Sequence, residues 1–337
     1  MDDKLLKLRS VLETIPLNDN QINNILGIID TRNKEIDDAI TPLLEEYYSY
    51  GIEKDYTNNS PNCIRIGNLD LHRSLPIQSK MRGCLLDDDG NVIEYLPEND
   101  WTTATRDGSK GQVMIEIPTH YRKFETKGTT YIVRLSEYPF SGYHQVPKMY
   151  VSAYEASIER SSGKLCSVVN YDVNYRGGNN ISSWDNTYRS LLGRPVTKVS
   201  LTNFRTYANN RGSNWKCQEW DIYCTVFWLY TVEYANLNCQ SAFNENTTDE
   251  GYKQGGLGSG VISISDWNGY NSYNPFVPCG HTNSLGNYTG VITYPTPNED
   301  GTICYNAPVP SYRGIENPFG HIWKWTDGVL AKGNGTI

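Results

Sequence analysis

The chain has 337 residues with a hydrophobic content of 38%, long enough to bury a substantial core. Thirty acids and bases of each sign would balance, but 38 acids face 30 bases for a net charge of −8, and no basic stripe is present, which argues against nucleic-acid binding through phosphate neutralisation. No run of about 18 apolar residues suggests a membrane span, and the start lacks the basic segment and apolar block of a secretory signal.

Residues 1–50 hold ten acids against five bases and read as helix. Leu8, Ile15, Ile22, Ile29, Ile36 and Leu43 recur every seven positions, the spacing of a coiled-coil seam, with Val11, Asn18, Ile25, Arg32 and Ala39 at the partner positions. Pro16 and Pro42 interrupt the run, so two or three short helices are expected, capped at Asn18 or Asp19 and at Thr41. The seam predicts self-association as a dimer or trimer; a monomeric hairpin folded on the next domain is the alternative.

From 51 to 146 the pattern changes to alternation with turn punctuation, a small β-rich spacer. Asp89-Gly90 predicts a hairpin between Gly83–Leu86 and Val92–Tyr95. Gln112–Ile117 reads as a strand stopped by Pro118, and Lys127-Gly128 turns Tyr121–Glu125 into Thr130–Leu135. Lys148–Ala156 alternates as the first strand of a third region, 147–337. Two helices follow. The first covers 201–212, with Ser200 or Thr202 as its cap and Gly212 at its end; the second covers roughly 219–237 and is apolar around most of its circumference, so it needs burial on several sides. Residues 251–294 are mostly loop. Gly, Tyr, Asn and Ser fill 24 of these 44 positions, a composition suited either to an adaptable recognition surface or to a glycine-rich loop packed on its own aromatics. Trp267, Tyr270, Tyr273 and Tyr288 are its candidate ligand-binding residues.

The last informative stretch is Tyr312–Gly328, where Trp323 and Trp325 stand two apart after a Gly-His pair. On a strand both indoles would share a face and need a large apolar partner. Asn317, Gly320, Trp323 and Trp325 match an N-x-x-G-x-x-W-x-W pattern. This segment resembles the formylglycine-generating-enzyme-like branch of the C-type lectin fold, which includes variable proteins of diversity-generating retroelements and fibre proteins of gut phages infecting Bacteroides. Ser79–Cys84 through Gly111–Pro118 resembles the segment that precedes the lectin domain in such proteins, and Val232–Asn238 its second helix. The resemblance implies an α+β fold: a coiled-coil-like helical segment, a β spacer and a C-type-lectin-like head, with the indole pair wedged beneath the two helices. Family members continue well past the Trp-x-Trp strand, so the resemblance also implies either a sheet closed in another way or a head incomplete at its C-terminus.

The oxidase branch places redox cysteines after the Trp-x-Trp strand, onto which no position here maps. The eight cysteines, at 63, 84, 166, 217, 224, 239, 279 and 304, include no C-x-x-C pair. They read as reduced, with Cys217 and Cys224 on one helix face as core thiols. The five histidines form no metal-ligand pair and read as surface or turn residues. Asp87–Gly90 lacks the first and twelfth ligands of a calcium loop and reads as a turn of solvated acids. Catalytic residues, metal and cofactor are therefore all expected to be absent. The expectation is a non-enzymatic phage fibre or receptor-binding protein of the virion, assembled in the host cytoplasm. Its expected partners are other virion proteins and a host-surface glycan or protein. A structural fibre or capsid-decoration adaptor is the alternative, ahead of an oxidase or glycan hydrolase.

Overall fold

Asn18 and Gln21 open the first long element by capping each other. In the computed structural model, which describes residues 6, 9, 10, 12–14, 18–260, 264 and 266–329 with the side chains of 36–39 and 41 excepted, the Gln21 amide donates to Asn18 Oδ1 at 3.0 Å and the Asn18 amide donates to Gln21 Oε1 at 3.1 Å. Two donors that a helix start leaves unpaired are thereby satisfied. Helix α1 then runs without a break over Asp19–Tyr48, with Pro42 inside it. The expected helix start capped at Asn18 is present, and Pro16 lies outside the described residues. The expected break at Pro42 is corrected: proline removes one hydrogen bond of the ladder, but helical turns continue on both sides and no new helix starts at Thr41. Of the seam, Leu8, Val11 and Ile15 lie outside the described residues. Ile22 and Leu26 are buried against Leu12 and Ile29, whereas Leu43 is 72% exposed.

The helix passes directly into strand β1 (Ser49–Asp55), whose first residue is also the helix C-cap. β1 lies inside a five-stranded antiparallel sheet, flanked by β2 (Ile64–Gly67) and by β7, β6 and β8 in turn. Between β2 and the next strand sits a short helix α2 (Leu69–Ser74). The second sheet has the order β4-β3-β5-β9, built from β3 (Arg82–Leu86), β4 (Val92–Tyr95), β5 (Gln112–Ile117) and β9 (Met149–Ser152). Both predicted hairpins form. Gly90 at φ 85° serves the β3–β4 turn, and Gly128 at φ 60° joins β6 (His120–Lys127) to β7 (Thr130–Ser136), in the left-handed region that glycine tolerates. β8 (His144–Val146) closes the far edge of the first sheet.

The expected border at 146/147 falls inside a continuous body. Every residue of β5 is buried, and a strand buried on both faces needs a hydrogen-bonding neighbour at each edge. β3 supplies one edge and β9 the other, pairing Met114 with Ser152 and Ile117 with Met149. One hydrophobic core runs from Tyr50 through Ile115 and Trp101 to Tyr230 and Ile315, tying all these segments together.

After the small hairpin of β10 (Ser157–Glu159) and β11 (Lys164–Cys166), the two predicted helices appear as α3 (Leu201–Asn209) and α4 (Trp220–Tyr234). Ser200 caps α3 by accepting from the Asn203 amide at 3.2 Å. α4 buries Val226, Leu229, Tyr230 and Glu233, but Trp220 at its start is 42% exposed, so burial is less complete than its composition suggests. The 251–294 stretch is not wholly irregular. It follows β12 (Phe243–Thr247) and contains β13 (Lys253–Gly255), a short α5 (Trp267–Asn271) and the start of β14 (Gly290–Pro297). Phe276 and Val277 form a second small core with Ala307 and Val309 of β15 (Ile303–Tyr312), which pairs in turn with β16 (Ile315–Glu316).

Several residue-level expectations change. Cys217 precedes α4 and does not share its face with Cys224; all eight cysteines are free thiols. His72, His120 and His321 are buried, and their rings meet the Ile66 carbonyl, the Pro118 carbonyl and the Glu155 carboxylate, respectively. Asp88 is not a freely solvated acid. Its Oδ2 lies 2.6 Å from Lys164 Nζ, and Arg211 binds its other oxygen. Partial burial pushes its pKa up, but these two cations outweigh that and hold it below the usual range. Among the described residues, no helix is long and apolar enough to cross a membrane.

Candidate functional site

A groove of about 990 Å³ lies between the second sheet and the two helices. Met114 of β5 and Val151 of β9 form its floor, Phe204 and Ala208 of α3 one wall, and Ile222 and Tyr223 of α4 another. Each of these elements turns an apolar face toward the same space, so the lining is mostly hydrocarbon and aromatic. The fourth wall is the segment that follows β16, from Pro318 to Trp325.

That segment is pinned at alternate points. His321, at φ 72°, places Nδ1 2.6 Å from Glu155 Oε2. The Lys324 ammonium donates to the Asn317 carbonyl and stands 3.4 Å from Glu155 Oε1. Trp325 Nε1 donates to the Val199 carbonyl at 2.9 Å. Asp327 receives Arg205 of α3, Nε to Oδ2 at 2.7 Å, and its carbonyl accepts from the Trp220 amide at 2.9 Å. Between these anchors Trp323 is 103% exposed, and Trp325 is 53% exposed.

The indole pair is therefore not wedged beneath α3 and α4, and this part of the expectation is corrected. Residues 322–326 are not assigned to a strand, and the left-handed backbone at His321 breaks the pleat that would have set 321, 323 and 325 on one face. His321 takes the inward position and Trp323 points to solvent.

Polar groups, Glu155, Glu316 and His321 among them, line part of the groove. Glu316 is buried and accepts from the Gly280 amide at 2.9 Å, the Thr282 amide at 2.7 Å and the Thr282 hydroxyl at 2.9 Å. Burial pushes its pKa up to about 7, further than these three donors pull it down, and the Glu155 carboxylate adds to the rise. Burial also raises the Cys279 thiol, whose Sγ lies 3.4 Å from the Glu155 carbonyl. The Trp267 ring lies parallel to His321, 6.3 Å between centroids, and Phe276 meets it edge-on at 5.8 Å. His321 Nε2 and Asn317 Oδ1 are buried without a hydrogen-bond partner.

Of the four loop aromatics proposed from sequence, the structure brings two to the groove. Trp267 lines it, with Nε1 bonded to the Asn274 carbonyl at 2.8 Å, and Tyr273 lines its mouth while 63% exposed. Tyr270 instead packs against Phe276 and Tyr188, its hydroxyl on the Pro297 carbonyl at 2.9 Å. Tyr288 lies apart from the groove, 3.3 Å from Glu98. Of the four motif residues, Gly320, Trp323 and Trp325 line the groove and Asn317 is buried at φ 48°. Sequence reasoning missed Glu155, Glu316 and Lys324. Their signal was faint, since a lone acid in an apolar strand, as in Ala153-Tyr-Glu-Ala156, hints only at a buried partner.

Among the described residues, no three His, Cys, Asp or Glu side chains come together as a metal-ligand group. No protein-family model, curated protein or solved structure matches this chain.

Proposed function

We propose that this α+β chain is a non-enzymatic receptor-binding protein of a phage fibre, with a C-type-lectin-like head that presents the aromatic groove to a ligand on the host surface. One observation carries the reading: a fully exposed indole, Trp323, stands at the rim of a groove of about 990 Å³ beside Trp325 and Tyr273. Large exposed aromatics next to a concavity are the usual mark of a recognition surface, because such rings contribute contact area at low entropic cost. The polar groups lining the groove are mostly committed to one another, which supports binding over catalysis. Glu316 spends both oxygens on internal donors, Glu155 contacts His321 and Lys324 although its Oε1 makes no hydrogen bond, and the remaining His321 nitrogen is buried. A reacting base needs to reach the atom it deprotonates.

The test is attachment of the purified chain to host cells and to immobilised host-surface glycans and proteins. Wild type binds, and the Trp323→Ala variant loses binding while its thermal melt stays close to wild type. Failure of the wild type to bind any host surface component returns the chain to the structural-adaptor reading.

A further inference from the structure

Helix α1 is mounted with its polar side inward. Glu45 contacts the body through Lys123 Nζ at 3.1 Å, Tyr143 hydroxyl at 3.2 Å and Arg134 Nε at 3.6 Å, and Glu46 reaches Arg134 Nη1 at 3.5 Å. At about 100° per residue, positions 22, 25, 26, 29, 33, 36, 40, 43, 44 and 47 fall within one arc of about 100°. All but Asn33 carry Ile, Leu or Tyr, and Glu45 and Glu46 lie on the other side of the helix. The apolar stripe thus faces away from the sheets.

Its two halves differ. In the first half Ile22 and Leu26 are buried against Leu12, with Ile29 beside them. In the second, Ile40 is 45% exposed, Leu43 72%, Leu44 40% and Tyr47 65%. A surface helix normally turns this face to the core and its charges to water. Here salt bridges to Lys123 and Arg134 fix the opposite orientation, so the open half requires a cover from outside the body.

We infer that the cover is the same stripe of a second copy of the chain, packed side by side in parallel. The sevenfold spacing at Ile22, Ile29 and Leu43 runs from the covered half into the open half, with Asn33 between them, and suits like helices, because equal periods keep two seams in register. The covered half is already occupied, so open half meets open half; an antiparallel pair centred there would run each helix's first half past Tyr48 against the other body, which a parallel pair avoids. Each Leu43 then faces Leu43 of the neighbour, and both bodies lie at the same end. This inference rests on α1 and is independent of what the groove binds.

Sedimentation of the full chain over a dilution series tests it. Wild type gives a mass of two or three chains that dissociates on dilution. Leu43→Glu sediments as a single chain, with association weakened by about tenfold or more, the scale of one lost buried leucine contact. Leu43→Lys does the same, and an equimolar mixture of the two variants re-associates. Unchanged near-ultraviolet circular dichroism shows that each variant keeps its body folded. A wild type that remains a single chain at every concentration overturns the inference, as does a Leu43→Glu protein of unchanged mass. A mixture that stays dissociated overturns the parallel arrangement.

Discussion

Arg313 grips Glu233 with two nitrogens, Nε and Nη2, each 2.8 Å from a different carboxylate oxygen. Glu233 belongs to α4 and Arg313 to the turn between β15 and β16, so this fork clamps the helix to the third sheet. The clamp extends further. Tyr312 donates to Glu233 Oε2 at 3.0 Å, and Arg313 Nη1 donates to the Gln78 carbonyl at 2.9 Å. Gln78 in turn accepts from the Tyr50 hydroxyl at 2.6 Å and donates to the Leu229 carbonyl at 3.1 Å. One buried network therefore joins the first sheet, α4 and the C-terminal hairpin.

Removing one partner leaves the other charge buried and alone, which costs about 3–5 kcal/mol. Arg313→Met is expected to lower unfolding stability by that amount in guanidinium titrations. Glu233→Leu combined with Arg313→Met recovers most of the loss, since two apolar groups of similar volume leave no unpaired charge. A double variant as unstable as the sum of its singles contradicts this account.

The same turn makes a second, steric prediction. Arg313 has φ 49° and Gly314 φ 84°, the geometry of a two-residue hairpin with both central residues left-handed. A Cβ at Gly314 would lie 2.5 Å from Trp101 Cη2 and 2.8 Å from Ile115 Cδ1. Trp101 and Ile115 are both in the core, so neither can withdraw. Gly314→Ala should cost about 1–3 kcal/mol through overpacking and more through backbone strain. Gly128→Ala, with φ 60° but nothing near the added carbon, carries only the backbone cost. The difference between the two melts isolates the steric part.

Two kinds of buried group give opposite pH dependences. Burial pushes His72 and His120 down to about 4. The unfolded chain takes up those protons near pH 6.5 and the folded chain does not, so stability falls as pH drops from 6.5 toward 4. Glu316, raised to about 7, holds a proton in the folded chain that the unfolded chain releases near 4.5. Its contribution is present at low pH and is lost as pH rises from 4.5 through 7. Across the shared window His72 and His120, joined by His281, which burial also lowers, oppose one carboxyl. Wild-type stability therefore rises with pH across it. Glu316→Gln steepens that rise. An unchanged slope in denaturant titrations at stepped pH means Glu316 ionises normally.

The two indoles separate binding from stability. Trp323 touches little, so Trp323→Ala should shift stability by no more than about 0.5 kcal/mol. Trp325→Phe loses the Nε1 bond to the Val199 carbonyl, at a cost of about 0.5–1.5 kcal/mol. If Trp323→Ala melts well below Trp325→Phe, the first ring is packed rather than displayed.

Local signals in the sequence carried far. The Asp89-Gly90 and Lys127-Gly128 hairpins, the β5 strand ahead of Pro118 and the helices after Ser200 and Glu219 all form, because each depends on neighbours a few residues away. What depended on distant partners was hidden. The pairing of β9 with β5 could not be read from alternation, which gives a strand but not its neighbour. Pro42 marks a break in isolation, yet α1 carries it. For Trp323 and Trp325 the spacing fixed a shared face only if a ladder formed, and His321 found Glu155 instead. Three buried histidines were invisible for the same reason, since nothing local distinguishes a ring in water from one holding a carbonyl in the core.

The fusion of α1 to β1 has a mechanical consequence. Tension applied along the helix enters an interior strand, hydrogen-bonded to β2 on one flank and to β7 over all seven of its residues on the other. A pull along β1 itself loads the β1–β7 bonds in shear, together, whereas an edge strand peeled sideways would yield them one after another. The helix is thus a handle attached where the body resists force best.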